Sequence, residues 1–100
     1  MTTPEGKIKA KVNKLLAWYS PYVYRFMPVQ MGMGAPALDY FLCVACDFVA
    51  VETKIPGKKL TPRQEQTALA IKTAGGKVFV VYDDNSLAEL KRYLDEVFDL

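Results

Sequence analysis

The spacing of apolar residues predicts an amphipathic helix at the start of the chain. Thr3 is a typical N-cap residue and Pro4 suits the first helical position. Apolar residues then recur at the spacing of one helical face, at Ile8, Val12, Leu15, Leu16 and Tyr19. Ser20-Pro21 is expected to end this helix, because proline cannot continue the hydrogen-bond ladder.

Two further helices are predicted in the second half of the chain. Thr61-Pro62-Arg63-Gln64 has the pattern of a capping box, and the helix that follows it should reach about Ala74, before Gly75-Gly76. Ser86-Leu87-Ala88-Glu89 has the same pattern and should start the last helix, after a loop at 83–85. One face of that helix is apolar and consists of Leu87, Leu90, Leu94, Val97 and Phe98.

Four shorter segments are predicted as strands: 22–28, 38–45, 48–55 and 77–82. The second and third should form a tight hairpin with its turn at Cys46 and Asp47, which sets Asp39 opposite Lys54. A glycine-rich stretch, 30–36, is expected to be a loop. The last strand is continuously apolar, so we expect it to be buried on both faces and to follow a right-handed parallel crossover. The order helix, three strands, helix, strand, helix predicts an α/β fold with a mixed sheet.

Length and composition predict a single domain spanning residues 1–100. The chain has a mass of 11.2 kDa and is 51% apolar, which is enough for one core. Its longest uninterrupted apolar run, from Tyr40 to Cys46, is far shorter than the ~20 residues of a membrane-spanning helix. The lysine-rich start does not resemble a secretory signal, so we expect an intracellular, cytoplasmic protein.

The sequence contains no histidine, which excludes Ser-His and Cys-His nucleophilic pairs and zinc sites built on imidazole. Cys43 and Cys46 form a C-x-x-C, but no other thiol or imidazole is available to complete a zinc site. The pair lies inside an apolar segment rather than at a strand-to-helix junction. We therefore expect two reduced thiols with no disulfide, at least one of them in the core.

The net charge of +2 is divided unevenly along the chain. Residues 1–72 carry ten basic and five acidic side chains, and residues 73–100 carry three and six. Such an asymmetry suits a protein that turns one face toward a polyanion, although lysine-rich faces are also common as plain solvated surface. The candidate phosphate contacts are Lys7, Lys11, Lys14, Arg25, Lys58, Lys59 and Arg63.

Candidate catalytic residues converge at one end of the predicted sheet. Glu52 and Lys54 alternate on one face of a strand, the hairpin brings Asp39 to the same face, and Glu5 ends the buried face of the first helix. Carboxylates this close repel unless a cation joins them, and Mg²⁺ accepts one or two carboxylates together with water and phosphate oxygens. A single E-x-K is more often a charge pattern on a solvated sheet. The ordered combination favours a metal site.

The ordered motifs resemble the VRR-NUC domain of the PD-(D/E)XK nuclease superfamily, in a small stand-alone, phage-type form. The resemblance covers roughly residues 5–82 and rests on Glu5, Gly34-Ala35-Pro36-Ala37-Leu38-Asp39, Val51-Glu52-Thr53-Lys54 with Pro56-Gly57, Lys59-Leu60-Thr61-Pro62-Arg63-Gln64, and Ala74-Gly75-Gly76. It implies a restriction-endonuclease-like αβββαβ core, with a four-stranded mixed sheet flanked by helices and an added C-terminal helix.

The resemblance also implies a function and a set of site residues. The function is cleavage of DNA phosphodiester bonds with Mg²⁺ or Mn²⁺, by a homodimer that could act on branched or Holliday-junction DNA in the host cytoplasm. Asp39, Glu52 and the backbone carbonyl of Thr53 would bind the metal, and Glu5 would support it through water. Lys54 would lie near the attacked phosphate, and Gln64 would orient the lysine or the attacking water.

Alternatives remain open at this stage. Gln64 has a sufficient structural reason to exist as the third residue of a capping box. Tyr19, Tyr22 and Tyr24 are better explained as core and sheet residues than as platforms for base stacking. A non-catalytic nucleic-acid-binding module on the same fold is the main rival function, and a partner-binding domain with an incidental acid cluster is the second.

Overall fold

The computed structural model describes residues 3–29 and 36–100, so most of the predicted 30–36 loop, including Gly34 and Ala35 of the motif, lies outside the described residues. The helices are α1 (Pro4–Trp18), α2 (Pro62–Thr73) and α3 (Asp84–Val97). The strands are β1 (Val23–Phe26), β2 (Tyr40–Val44), β3 (Asp47–Thr53) and β4 (Lys77–Val81). This is the predicted order of elements. None of the helices in the described ranges combines the length and the apolarity needed to cross a bilayer.

The four strands form one mixed sheet in the order β1-β2-β3-β4. β2 is antiparallel to both β1 and β3, whereas β3 and β4 are parallel, because α2 carries the chain across the sheet between them. The predicted α/β fold with a four-stranded mixed sheet is confirmed. β3 therefore has a hydrogen-bonded neighbour on each side.

The helices cover the two faces of the sheet unequally. α1 and α3 pack together on one face, where Val12 and Leu16 meet Leu90 and Leu94 over the inward side chains of the strands. On the other face, α2 packs through Ala68 in a smaller cluster with Leu38, Ala50 and partly buried neighbours. The acidic C-terminal helix thus lies beside the basic first helix rather than behind it.

The helix ends confirm two of the three predicted starts. Thr3 caps α1, and Thr61 caps α2 in a complete capping box with Gln64. The prediction for α3 is wrong: Asp83 is its N-cap and Ser86 is the third residue, since the Asp83 carboxylate accepts from the Ser86 backbone N–H at 2.8 Å. The predicted loop at 83–85 is consequently the first turn of the helix.

The predicted turn of the β2–β3 hairpin is displaced by one residue. Val44 pairs with Asp47, which leaves Ala45 and Cys46 as the two turn residues, at φ of 47° and 74°. Positive φ at both positions is the pattern of a type I′ turn, whose twist matches that of the strands. The pairing shifts by two positions, so every side chain keeps its expected face.

Several burial predictions need correction. Cys43 and Cys46 are both free, as expected, but both are exposed, because Cys46 lies in the turn and Cys43 lies on the opposite face of β2 from the buried Leu42 and Val44. Tyr19 is buried, whereas Tyr22 and Tyr24 are 73% and 69% exposed, since β1 is an edge strand. β4 is the other edge, and only its last residue is fully buried.

Candidate active site

The corrected hairpin register sets Asp39 directly across from Glu52 instead of opposite Lys54. The last pair of the ladder is Tyr40 with Val51, and one step further the Asp39 backbone N–H donates to Glu52 Oε1 at 3.0 Å. The two carboxylates therefore lie side by side at one end of the central strands. The predicted proximity of Asp39 and Glu52 is present, through a direct bond.

Thr53 holds the Asp39 carboxylate from the other side. Asp39 Oδ2 accepts from the Thr53 backbone N–H at 2.9 Å and from its hydroxyl at 2.6 Å. Alternation along β3 puts the Thr53 side chain on the opposite face of the strand from Glu52. Asp39 precedes the paired part of β2, so its side chain is not bound by the alternation and reaches across the strand end to the buried hydroxyl.

Gln64 serves the helix cap and the site together. Its Oε1 accepts from the Thr61 backbone N–H at 3.0 Å, which completes the capping box. Its Nε2 donates to Glu52 Oε2 at 2.9 Å. The capping role of Gln64 is confirmed, and the amide has a second group free for the site, where it contacts the Glu52 carboxylate rather than the lysine.

The pKa of Glu52 is raised to about 7. Burial is the largest cause of the rise, and the neighbouring charge of Asp39 is the second. Only 3% of the residue is exposed. The Asp39 N–H and the charge of Lys54 favour the ionised form but offset only part of this effect, and Glu5 adds to the rise in pKa. Near neutral pH the carboxyl group is thus close to half protonated, as expected for paired acids without a cation.

Glu5 and Lys54 lie on the walls of a neighbouring cleft. The cleft has a volume of about 430 Å³ and is lined by Thr3, Pro4, Glu5, Lys54, Ile55 and Lys58. Glu5 belongs to the first turn of α1, and Lys54 follows the end of β3, where its backbone N–H still bonds to the Val81 carbonyl at 3.0 Å. The cleft thus brings Glu5 of α1 and Lys54 together, although neither Asp39 nor Glu52 lines it.

Lys9 is a site residue that the sequence reasoning missed. Its Nζ lies 3.8 Å from Asp39 Oδ1, and its side chain is 36% exposed. It stands four positions after Glu5 on α1 and therefore on the same helical face. That spacing was the available signal.

The seven candidate phosphate contacts are all exposed. Two of them already have partners within the protein: Lys11 pairs with Asp84 at 2.9 Å, and Arg25 donates to the carbonyl and side-chain oxygens of Asn13, both at 3.2 Å. Lys58, Lys59 and Arg63 lie between β3 and the first turn of α2, next to Lys54 and Gln64 in the chain. This second group is the one nearest to the carboxylate pair along the chain.

The donor set fits a small, hard divalent ion. Within residues 3–29 and 36–100, no three acidic or thiol side chains cluster closely enough to form a ligand set by themselves. Mg²⁺, however, is commonly held by one or two carboxylates and keeps several waters. Asp39 and Glu52 are joined by the hydrogen bond from the Asp39 backbone N–H to the Glu52 carboxylate, and a cation would offset the part of the rise in the Glu52 pKa that comes, after burial, from the charge of Asp39.

The sequence matches no protein-family model and no curated protein. The structure is similar to a solved structure described as "VRR_NUC domain", with a TM-score of 0.69 and 18% sequence identity. The similarity covers 98% of this chain and 97% of that chain. The fold is that of a VRR-NUC domain. The resemblance stated from the motifs is confirmed at the level of the fold, and within the VRR-NUC fold the carboxylate pair occupies the end of β2 and β3.

Proposed function

We propose that this protein is a divalent-metal-dependent DNA endonuclease that hydrolyses phosphodiester bonds with Mg²⁺ or Mn²⁺. The observation that carries the proposal is the bonded row Thr53, Asp39, Glu52 and Gln64, next to Lys54, on a VRR-NUC fold. Each carboxylate in that row is held by donors from its neighbours, which fixes its oxygen atoms in position. Preorganised oxygen ligands are what a divalent ion requires.

Each residue of the row has a distinct proposed task. Asp39 and Glu52 would hold the ion, together with the Thr53 backbone carbonyl, and Glu5 would support it through water. A divalent ion at such a site polarises a phosphate and lowers the pKa of water to make a nucleophile at neutral pH. The Thr53 hydroxyl orients Asp39, and the Gln64 amide orients Glu52.

Lys54 is proposed to stabilise the charge that develops on the attacked phosphate. It lies two positions after Glu52 in the chain, directly beyond the end of β3. Lys54 lines the same cleft as Glu5 and Lys58. An ammonium at the edge of the carboxylate pair attracts the phosphate electrostatically.

Exposed basic residues, of which Lys58 lines this cleft, support DNA as the substrate. Lys7, Lys14, Lys58, Lys59 and Arg63 are available to phosphates and would bind without reading sequence. We further propose that the protein acts as a homodimer on branched DNA, including four-way junctions.

Cleavage assays with matched variants test the proposed activity. Supercoiled plasmid, linear duplex and a four-way junction are incubated with Mg²⁺ or Mn²⁺, and with EDTA as the metal-free control. We expect Asp39→Asn, Glu52→Gln and Lys54→Met each to lower the rate by at least ~100-fold, the range typical for loss of a catalytic group. Glu65→Gln and Lys72→Met remove the same charges from exposed positions of α2 and should retain the wild-type rate.

The same assays separate the rival functions. Unchanged cleavage in the three site variants would falsify the site assignment. Salt-sensitive DNA binding without cleavage in any metal would favour the non-catalytic binding module. Preference for the junction over linear duplex, with light scattering that gives twice the chain mass, is the expected result for the substrate and the homodimer.

A further inference from the structure

Lys9 stands apart from the residues assigned so far, because its ammonium group approaches the carboxylate pair from α1. Nζ lies 3.8 Å from Asp39 Oδ1, and the two side chains are 36% and 22% exposed. We propose that Lys9 is a positioning residue that holds Asp39 Oδ1 when no divalent ion is bound, and that it sets the affinity for the ion by competing with it. This inference rests on the proposed function.

The two oxygens of Asp39 have different surroundings. Oδ2 accepts two bonds from Thr53, of 2.9 Å and 2.6 Å, and is therefore turned into the protein. Oδ1 is the oxygen that faces Lys9. A ligand that approaches Asp39 from outside meets Oδ1, and there it meets the ammonium group as well.

The backbone keeps Lys9 beside Asp39. Tyr40 follows Asp39 directly, and its single hydroxyl proton is shared between Asn13 Oδ1 at 2.9 Å and the Lys9 backbone carbonyl at 3.3 Å. The Tyr40 side chain is fully buried, so this link between β2 and α1 is part of the core. The ion pair is thus held by a fixed contact between two elements rather than by two free side chains.

The charges explain why the pair has a function. Asp39 and Glu52 bring two acids together, and Glu5 adds a third negative charge within range of Glu52. A cation lowers this repulsion, and Lys9 is the ammonium group paired with Asp39. A divalent ion carries twice the charge of an ammonium group and lowers the repulsion more, so the ion and Lys9 compete for Asp39 Oδ1.

Mn²⁺ binding in the absence of DNA measures this competition. The affinity of the full chain for Mn²⁺ is followed by the water-proton relaxation or the electron paramagnetic resonance of the free ion. Lys9→Met keeps the aliphatic stem and removes the charge, and it should bind Mn²⁺ at least about three-fold more tightly, as expected for loss of a partly exposed ion pair. Lys9→Gln should do the same, whereas Lys9→Arg should stay near the wild-type affinity.

Lys91→Met is the matched control, since it breaks an ion pair of the same kind with Asp95 on α3. It should leave the Mn²⁺ affinity at the wild-type value. If the wild type binds Mn²⁺, Asp39→Asn abolishes binding and Lys9→Met binds no more tightly than the wild type, then the role of Lys9 is wrong while the metal site stands. A wild-type protein that binds no Mn²⁺ would overturn both proposals.

Discussion

The two carboxylate oxygens of Glu52 accept hydrogen bonds from different donors. One accepts the Asp39 backbone N–H and the other accepts the Gln64 amide. Among the described residues no buried side-chain polar atom lacks a partner, so the site is not left with an unsatisfied group. Its burial, and after that the neighbouring charge of Asp39, nevertheless disfavour the ionised form, and together they raise the pKa of Glu52 to about 7.

This raised pKa predicts that the metal-free protein loses stability as the pH rises. The folded state holds a proton on Glu52 up to about pH 7, whereas the unfolded chain releases it near 4.5. The folded state therefore binds more protons in this window, and the free energy of unfolding falls between about pH 4.5 and 8. Each tenfold difference in proton affinity corresponds to about 1.4 kcal/mol, so the rise in the Glu52 pKa from 4.5 to about 7 predicts a loss on the order of 3 kcal/mol relative to Glu52→Gln.

Urea unfolding of the wild type and Glu52→Gln in EDTA at pH 5 and pH 8 checks this prediction. The difference in stability between the two proteins should change with pH in the stated direction. A difference that is constant between pH 5 and pH 8 would show that Glu52 is ionised throughout. Glu65→Gln, on the exposed side of α2, controls for the general loss of an acid.

The individual site residues were predictable as far as sequence spacing reaches. Glu52 and Lys54 follow from alternation in a strand, and Asp39 follows from the hairpin. Lys9 and the Thr53 hydroxyl were missed because their contacts depend on where α1 crosses β2 and on how Asp39 leaves the ladder. The spacing of Glu5 and Lys9 places both on one face of α1, but the contacts of Lys9 and Thr53 with Asp39 are tertiary and do not follow from that spacing alone.

The first turn of α2 makes the helix cap part of the site. Gln64 uses its oxygen for Thr61 and its nitrogen for Glu52, so the position of the helix and the orientation of the carboxyl group are coupled. A variant that alters only the bond to Thr61 should therefore affect the helix cap, and a variant that alters only the bond to Glu52 should affect the site.

Two variants separate the cap from the site. Thr61→Ala removes the acceptor for the Gln64 backbone N–H and should lower the free energy of unfolding by about 1 kcal/mol, with a small effect on cleavage by folded protein. Gln64→Glu keeps the acceptor for Thr61 but sets a carboxylate against Glu52, so cleavage should fall much more than stability. Equal losses of cleavage in both variants would mean that Gln64 acts only through the cap.

The hairpin turn carries residues that its backbone does not favour. Ala45 and Cys46 both have positive φ, which costs a side-chain-bearing residue roughly 1 kcal/mol and costs glycine little. Cys46→Gly should therefore raise the melting temperature by several degrees. Ala10→Gly, at an exposed position inside α1, should lower it, and a decrease in both variants would contradict the turn assignment.

The ends of the helices and strands were predictable where a local sequence signal marks them and not elsewhere. The starts of α1 and α2 followed from their capping residues, because those signals are local. The hairpin turn was displaced because Ala45 and Cys46 carry no glycine or asparagine to mark it. For α3, both Asp83 and Ser86 are suitable N-cap residues, and in the structure Asp83 is the N-cap and Ser86 is the third residue of the capping box.

Across the whole molecule, the acidic and basic segments of the chain meet. Lys11 on α1 pairs with Asp84 on α3, which removes part of the positive charge of that face. The basic group between β3 and α2 has no such acidic neighbour among the described ion pairs. DNA affinity should therefore depend chiefly on the side of the molecule that carries Lys58, Lys59 and Arg63.

Salt titration of DNA binding tests this assignment. A double variant, Lys58→Gln with Lys59→Gln, should lower the slope of log affinity against log salt by about 2, since each phosphate contact contributes about 0.9. The matched pair Lys91→Gln with Arg92→Gln, on α3, should leave the slope unchanged. Fluorescence anisotropy of a labelled duplex without divalent ions gives both slopes, and equal slopes in the two double variants would rule out the assignment.

The position of the bonded row along the chain has a consequence for how the site opens. Asp39, Glu52, Thr53 and Gln64 lie within residues 39–64, on two paired strands and the helix that follows them, whereas Glu5 and Lys9 come from α1. Amide hydrogen exchange should separate these two parts, with β3 the slowest to exchange because it is paired on both sides. A fluctuation that lifts α1 away would release Glu5 and Lys9 and leave the carboxylate row intact.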